Sequence, residues 1–111
     1  MLFRSAIARM YSEMSGESLY FGKPYPPIYD LAYRRLEAIR PGVMKSKMLA
    51  IGDGILTDIT GAVGEDIDNL FISGGLAAGP TKTERQPDPA ALKAYLAEEN
   101  IDPTFTIGFL R

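Results

Sequence analysis

Apolar and polar residues fall along this chain in alternating blocks whose spacing reads helix, strand, helix, strand. Ile7, Met10, Tyr11 and Met14 recur at helical spacing and predict a helix over Ala6 to Met14. Ser15-Gly16-Glu17 breaks it, and the apolar run Leu19-Tyr20-Phe21 reads as a short strand. Pro24 to Pro27 is a rigid entry to a helix that carries Pro27 in its first turn and runs to about Ile39. Ile28, Leu31, Ala32, Leu36 and Ile39 share one side of that helix, with Arg34, Arg35 and Glu37 elsewhere, and Pro41-Gly42 stops it. Met48 to Ile51 is continuously apolar, as in a buried strand, and Gly52 ends it in a turn.

A short helix follows from about Thr57 to Val63, with Thr57 as its N-cap, Asp58 in its first turn and Gly64 closing it. Asn69 to Ser73 reads as the next strand. After Gly74-Gly75 the polar stretch Ala77 to Pro87, rich in Gly, Pro and Thr, is expected to be the least ordered part of the chain. Asp88 and Pro89 start the clearest helix, as N-cap and first helical residue; Ala91, Leu92, Tyr95 and Leu96 form its apolar stripe and Asn100 its C-cap. Phe105 to Leu110 is the last strand. Strands separated by helices imply right-handed crossovers and a parallel sheet, hence an α/β fold.

Composition narrows the chemistry. The length of 111 residues allows at most one domain, and 46% hydrophobic with 23% charged residues is a globular composition, not a disordered one. A net charge of −2 with scattered basic residues argues against a nucleic-acid partner. No apolar run approaches the ~20 residues that span a bilayer. Met1 to Met10, broken by Arg4 and Arg9, does not read as a signal peptide, so a cytoplasmic location is expected. With no cysteine there are no disulfides, thiolate nucleophiles or thiolate metal sites; with no histidine there is no Ser-His-Asp triad and no imidazole ligand. Chemistry must rest on carboxylates, lysine and backbone amides. Met1-Leu2-Phe3-Arg4-Ser5 matches the translation of a sequencing-adapter end and is set aside as a non-native scar, the alternative being an ordinary apolar N-terminus.

Two segments carry candidate chemistry. In Gly52-Asp53-Gly54-Ile55-Leu56-Thr57-Asp58-Ile59 two carboxylates follow a strand, at the crevice outside the carboxyl ends where open sheets bind ligands. Such a pair is costly without a cation, and a hard divalent metal such as Mg²⁺ answers it. Gly22-Lys23-Pro24 puts a lysine beyond the preceding strand, so the three side chains describe a site for an anionic, metal-bound group, phosphate first. Each has a plainer explanation: Asp53 as a turn residue, Asp58 as a helix-capping acid, Lys23 as a solvated surface lysine, Gly74-Gly75 as a simple turn, and Lys82 and Arg85 as solvated loop charges.

The ordered pair of Gly22-Lys23-Pro24 and Gly52-Asp53-Gly54-Ile55-Leu56-Thr57-Asp58 resembles the later half of a haloacid dehalogenase (HAD) superfamily phosphohydrolase, with spacing similar to subfamily IIA. The resemblance runs from about Gly16 to the C-terminus. It implies a partial HAD-like Rossmannoid core in which Lys23 neutralises charge on the nucleophile and phosphoryl group. By the same resemblance Asp53 is a direct Mg²⁺ ligand and Asp58 a metal-water or lysine-orienting acid; Thr57 is a cap on either reading, with a hydroxyl also available to order the motif loop. The family's DxDG motif, its Ser/Thr motif and its cap domain have no counterpart. Asp66-Ile67-Asp68 has the DxD spacing, but Asn69 follows it and its apolar run, Leu70-Phe71-Ile72, comes after rather than before.

The chain is therefore expected to divide into residues 1–5 as the scar, 6–15 as a remnant of the cap-to-core connection, and 16–111 as the C-terminal half of the core. As a fragment it would be inactive alone and hold Mg²⁺ weakly. The intact protein would hydrolyse a phosphorylated small molecule through an aspartyl-phosphate, with the substrate chosen largely by the cap. Self-association or a separate N-terminal half is the expected partner. A small non-enzymatic protein that binds a phosphorylated ligand or partner is one alternative. An unrelated receiver-like or nucleotide-binding module that holds Mg²⁺ is another; against it, no GxxxxGK[ST] pattern occurs and Lys23 precedes the acids.

Overall fold

The computed structural model describes residues 22–111. Residues 1–5, the helix expected over Ala6 to Met14 and the strand expected at Leu19 to Phe21 lie outside the described residues. Strands β1 (Leu49–Gly52), β2 (Asp68–Ile72) and β3 (Phe105–Ile107) form one three-stranded parallel sheet in the order β1-β2-β3. Helix α1 (Pro26–Ile39) precedes it, α2 (Thr60–Gly64) joins β1 to β2, and α3 (Pro89–Glu99) joins β2 to β3. The expected α/β fold is present. No helix among the described residues is long and apolar enough to cross a membrane.

Local chemistry accounts for the helix ends. Pro26 and Pro27 open α1, where missing N–H groups cost nothing, and the extended Arg40 ends it ahead of Pro41. Asp88 caps α3 by accepting the Ala91 N–H at 2.9 Å, and Pro89 follows as the first helical residue. Asn100, left-handed at φ 54°, closes the same helix. The side of α1 expected to be apolar is only half-buried at Ile28, Leu31 and Leu36, while Ala32 and Ile39 are exposed.

Register decides which side chains share a face. Ile51 pairs with Leu70 and Leu70 with Phe105, so Leu49, Ile51, Leu70, Ile72, Phe105 and Ile107 point one way and Phe71 the other. Both crossovers step in the same direction along the sheet, so the right-handed rule places them on one side. That side holds the core: Phe71, fully buried, packs with Ile55, Ile59 and Ala77 under Leu92, Tyr95 and Leu96 of α3. The Phe71 and Tyr95 rings stack with centroids 6.3 Å apart. On the opposite face Leu49, Ile51 and Phe105 remain 48%, 49% and 57% exposed, although parallel sheets are ordinarily covered on both sides.

The stretch from Ala77 to Pro87 departs from its reading as the least ordered part of the chain. Thr81 and Ser73 are fully buried and Ala77 nearly so. The Thr81 hydroxyl donates to the Ala77 carbonyl at 2.7 Å and lies 2.7 Å from the Thr83 hydroxyl, which in turn lies 2.9 Å from Ser73 Oγ. Threonine contents read as polarity in the sequence; here they supply internal hydrogen bonds that replace water.

Helix α1 is tied to the end of α2 through Glu65. Tyr33 donates its hydroxyl to Glu65 Oε1 at 2.9 Å, Lys45 donates to the Glu65 carbonyl at 2.9 Å, and the Lys45 ammonium stands 5.3 Å from the Tyr33 ring centre. Burial, followed by the hydrogen bond and charge of Glu65, pushes the Tyr33 phenol above its ordinary value of 10.0. The contribution of this group to stability is therefore complete below about pH 10 and is lost as pH rises toward its higher folded value. Tyr33→Phe should lower stability by about 1 kcal/mol at neutral pH and flatten the fall in urea midpoint that begins above about pH 10, where a free phenol ionises.

Candidate functional site

A parallel sheet sends all its carboxyl ends to one rim, and this one presents Asp53 after β1, Ser73-Gly74-Gly75 after β2 and Gly108 after β3. The rim is knitted beyond the strands by Ser73 N–H to the Ile107 carbonyl at 2.9 Å and Gly74 N–H to the Gly108 carbonyl at 2.7 Å. Both candidate acids reach this rim by different routes.

Asp58 arrives on a π-helical turn, Ile55–Ile59, whose Ile59 N–H reaches back to the Gly54 carbonyl at 3.1 Å. The wide turn lets Ile55 and Ile59 both enter the core, and Asp58 projects from it back toward the strand end. Its Oδ2 accepts the Gly54 N–H at 3.1 Å and its Oδ1 pairs with the Lys23 ammonium. A Cβ at Gly52 would overlap the Asp58 side chain, so the strand has to end in glycine for the acid to fold over it. The Asp58 side chain is 11% exposed and that of Lys23 34%, so the pair is shielded at the acid and open at the lysine.

Asp53 turns the other way. Its Oδ2 accepts the Leu76 N–H at 3.3 Å, across the rim in the loop after β2. A Cβ at Gly75 would overlap the Asp53 carboxylate, so the Gly74-Gly75 pair is a turn with a steric purpose. Among the described residues no group of three or more acidic, histidine or cysteine side chains is placed to hold a metal ion. Asp53 and Asp58 supply the oxygen donors that Mg²⁺ takes, but only part of its octahedral set.

Thr57 is not the helix cap it was expected to be. The turn begins at Gly54, the residue ahead of α2 is Ile59, and neither end has a side-chain capping bond. Thr57 lies inside the turn and is exposed, while Thr60 donates its hydroxyl to the Ile55 carbonyl at 2.7 Å. The sequence shows a helix start but not the extra residue that widens the turn and moves the start past Thr57. Lys82 and Arg85 are exposed. Asp66-Ile67-Asp68 sits at the amino end of β2, away from the rim: Asp66 is a left-handed turn residue at φ 59°, Ile67 is buried and Asp68 opens the strand. Grooves lined by Leu96, Asn100 and Ile101, and by Leu36, Val43 and Met44, lie apart from the Lys23, Asp53 and Asp58 cluster.

Sequence reasoning did not find the Leu76 amide, whose role comes from its backbone and carries no residue signal. A family model described as HAD-hydrolase-like matches residues 20–98. A hydrolase of the haloacid dehalogenase-like family from Brucella suis is 38% identical with a TM-score of 0.59, over 96% of this chain and 36% of that one. A "possible sugar phosphatase, HAD superfamily" from Cytophaga hutchinsonii, 21% identical, shares the fold at a TM-score of 0.63, over 96% of this chain and 34% of that one. The chain thus spans about a third of the length of these solved structures. No curated protein matches it. With one family model running across Lys23, Asp53 and Asp58 together, the chain belongs to the HAD-like hydrolases.

Proposed function

We propose that this chain is the lysine- and acid-bearing part of a Mg²⁺-dependent HAD phosphohydrolase core of subfamily IIA type, without turnover of its own. The observation that carries the reading is the Lys23–Asp58 ion pair, which brings a lysine from ahead of α1 to the turn after β1, at the rim where Asp53 stands. Mg²⁺, when bound, would supply positive charge to phosphoryl oxygens. Asp53 is the residue that would hold it directly, and Asp58 would either bind one of its waters or orient the lysine. Asp58 fixes the Lys23 ammonium at the rim, where it balances charge on a phosphoryl oxygen in a position set before substrate arrives.

The attacking carboxylate comes from outside this sequence on this reading. A separate N-terminal half would also add a strand beside β1 and cover the face carrying Leu49, Ile51 and Phe105, whose exposure supports it. The substrate of the assembled enzyme is a phosphorylated small molecule.

The full 111-residue chain should release no p-nitrophenol from p-nitrophenyl phosphate above the level of its Asp53→Asn variant. Clear turnover abolished by Asp53→Asn would overturn this. Mn²⁺, used as a paramagnetic stand-in, should broaden the Asp53, Gly54 and Gly75 amide resonances only at concentrations on the order of millimolar, because few charged ligands are present. Asp53→Asn should remove that broadening; broadening that survives it would place the ion elsewhere. A double-mutant cycle of Lys23→Met and Asp58→Asn should return a coupling of about 0.5–1 kcal/mol in urea denaturation, the range of a partly exposed ion pair. No coupling would remove the support for a fixed lysine.

A further inference from the structure

The hydroxyls of Ser73, Thr81 and Thr83 form a cluster that the catalytic reading does not use. Thr81 and Ser73 are fully buried in a segment of polar composition. Three hydroxyls have one proton each. Thr81 gives its own to the Ala77 carbonyl at 2.7 Å, Ser73 reaches the Ile107 carbonyl at 3.5 Å, and Thr83 donates to Ser73 Oγ at 2.9 Å while standing 2.7 Å from the Thr81 hydroxyl. The backbone follows the same frame. Ala78 N–H bonds to the Gly75 carbonyl at 3.1 Å, Thr81 N–H to the Ala77 carbonyl at 3.0 Å and Thr83 N–H to the Ala78 carbonyl at 3.0 Å.

Leu76 sits inside this frame, with the Gly75 carbonyl pinned before it and the Ala77 carbonyl pinned after it. Its own side chain is 80% exposed, so packing does not aim its amide. That amide is the donor to Asp53 Oδ2 at 3.3 Å, and the absent Cβ of Gly75 is what lets the carboxylate reach it. The buried hydroxyls, the turn and the carboxylate are one mechanical chain.

We infer that the Ser73–Thr81–Thr83 hydroxyl cluster sets the direction of the Asp53 carboxylate through the Gly75-Leu76 turn, which makes Thr81 a positioning residue for the oxygen that would face a divalent cation. The geometry stands without a metal; its consequence for ion binding rests on the reading under Proposed function. Thr81→Val keeps shape and removes the hydroxyl, whereas Thr81→Ser keeps the hydroxyl. Gly54 N–H is the internal reference, because Asp58 and not the loop holds it.

In the full ¹⁵N-labelled chain, Thr81→Val should speed hydrogen exchange at Leu76 by up to about tenfold relative to Gly54, as loss of one hydrogen bond implies. Thr81→Ser should restore it, and the Mn²⁺ concentration needed to broaden Asp53 should rise several-fold in the valine variant only. Equal change at Leu76 and Gly54, change at neither, or a Leu76 change with the Asp53 resonances unmoved would overturn the inference, since a threonine that only holds its own loop leaves Asp53 in place. Should Thr81→Val not fold, Thr83→Val carries the same comparison. If the unaltered chain shows no Mn²⁺ broadening, the metal reading fails while the Leu76-to-Gly54 comparison still decides this one.

Discussion

A carboxylate held nine-tenths out of water has to be answered by a cation or by directed donors, and Asp58 has both. Everything at the rim is arranged around that requirement. The π-helical turn exists where two isoleucines must enter the core while the acid between them stays at the surface of the sheet end. Gly52 gives the acid room, Gly54 gives it an amide, and Lys23 is drawn across from a position 35 residues earlier. With Asp58 committed to the lysine, Asp53 is the acid left facing the loop after β2.

The two acids are thus held by different means. Asp58 is fixed by charge within its own turn, whereas Asp53 depends on a backbone amide supplied by a remote loop. That loop holds its shape with internal hydroxyl bonds instead of apolar packing, which suits a segment with only Ala77 to put into the core.

Legibility in the sequence followed the range of the interaction. Asp88-Pro89 and Asn100 were readable because capping acts within a few residues, and the α/β alternation because burial repeats with the strand and helix periods. The order and spacing of Lys23, Asp53 and Asp58 mark them as candidates, and the folded chain pairs Lys23 with Asp58. Thr57 misled because a π turn differs from an α turn by a single residue, which no composition signals. Thr81 and Ser73 were hidden for another reason: a hydroxyl looks equally polar whether its partner is water or a carbonyl, and only the folded loop decides. Leu49 and Ile51 read as a buried strand because apolar strand residues normally are, yet they stand half-exposed beside Phe105.

Among the described residues β1 has a neighbour only on its β2 side. A strand added in parallel at that edge would lie about 4.8 Å away and end beside Asp53. The step that completes the sheet would then also complete the charge pattern of the rim, so folding and active-site formation would share one equilibrium. For two separate chains that equilibrium is bimolecular: the completed sheet would gain with concentration and be lost on dilution, as an obligate dimer is.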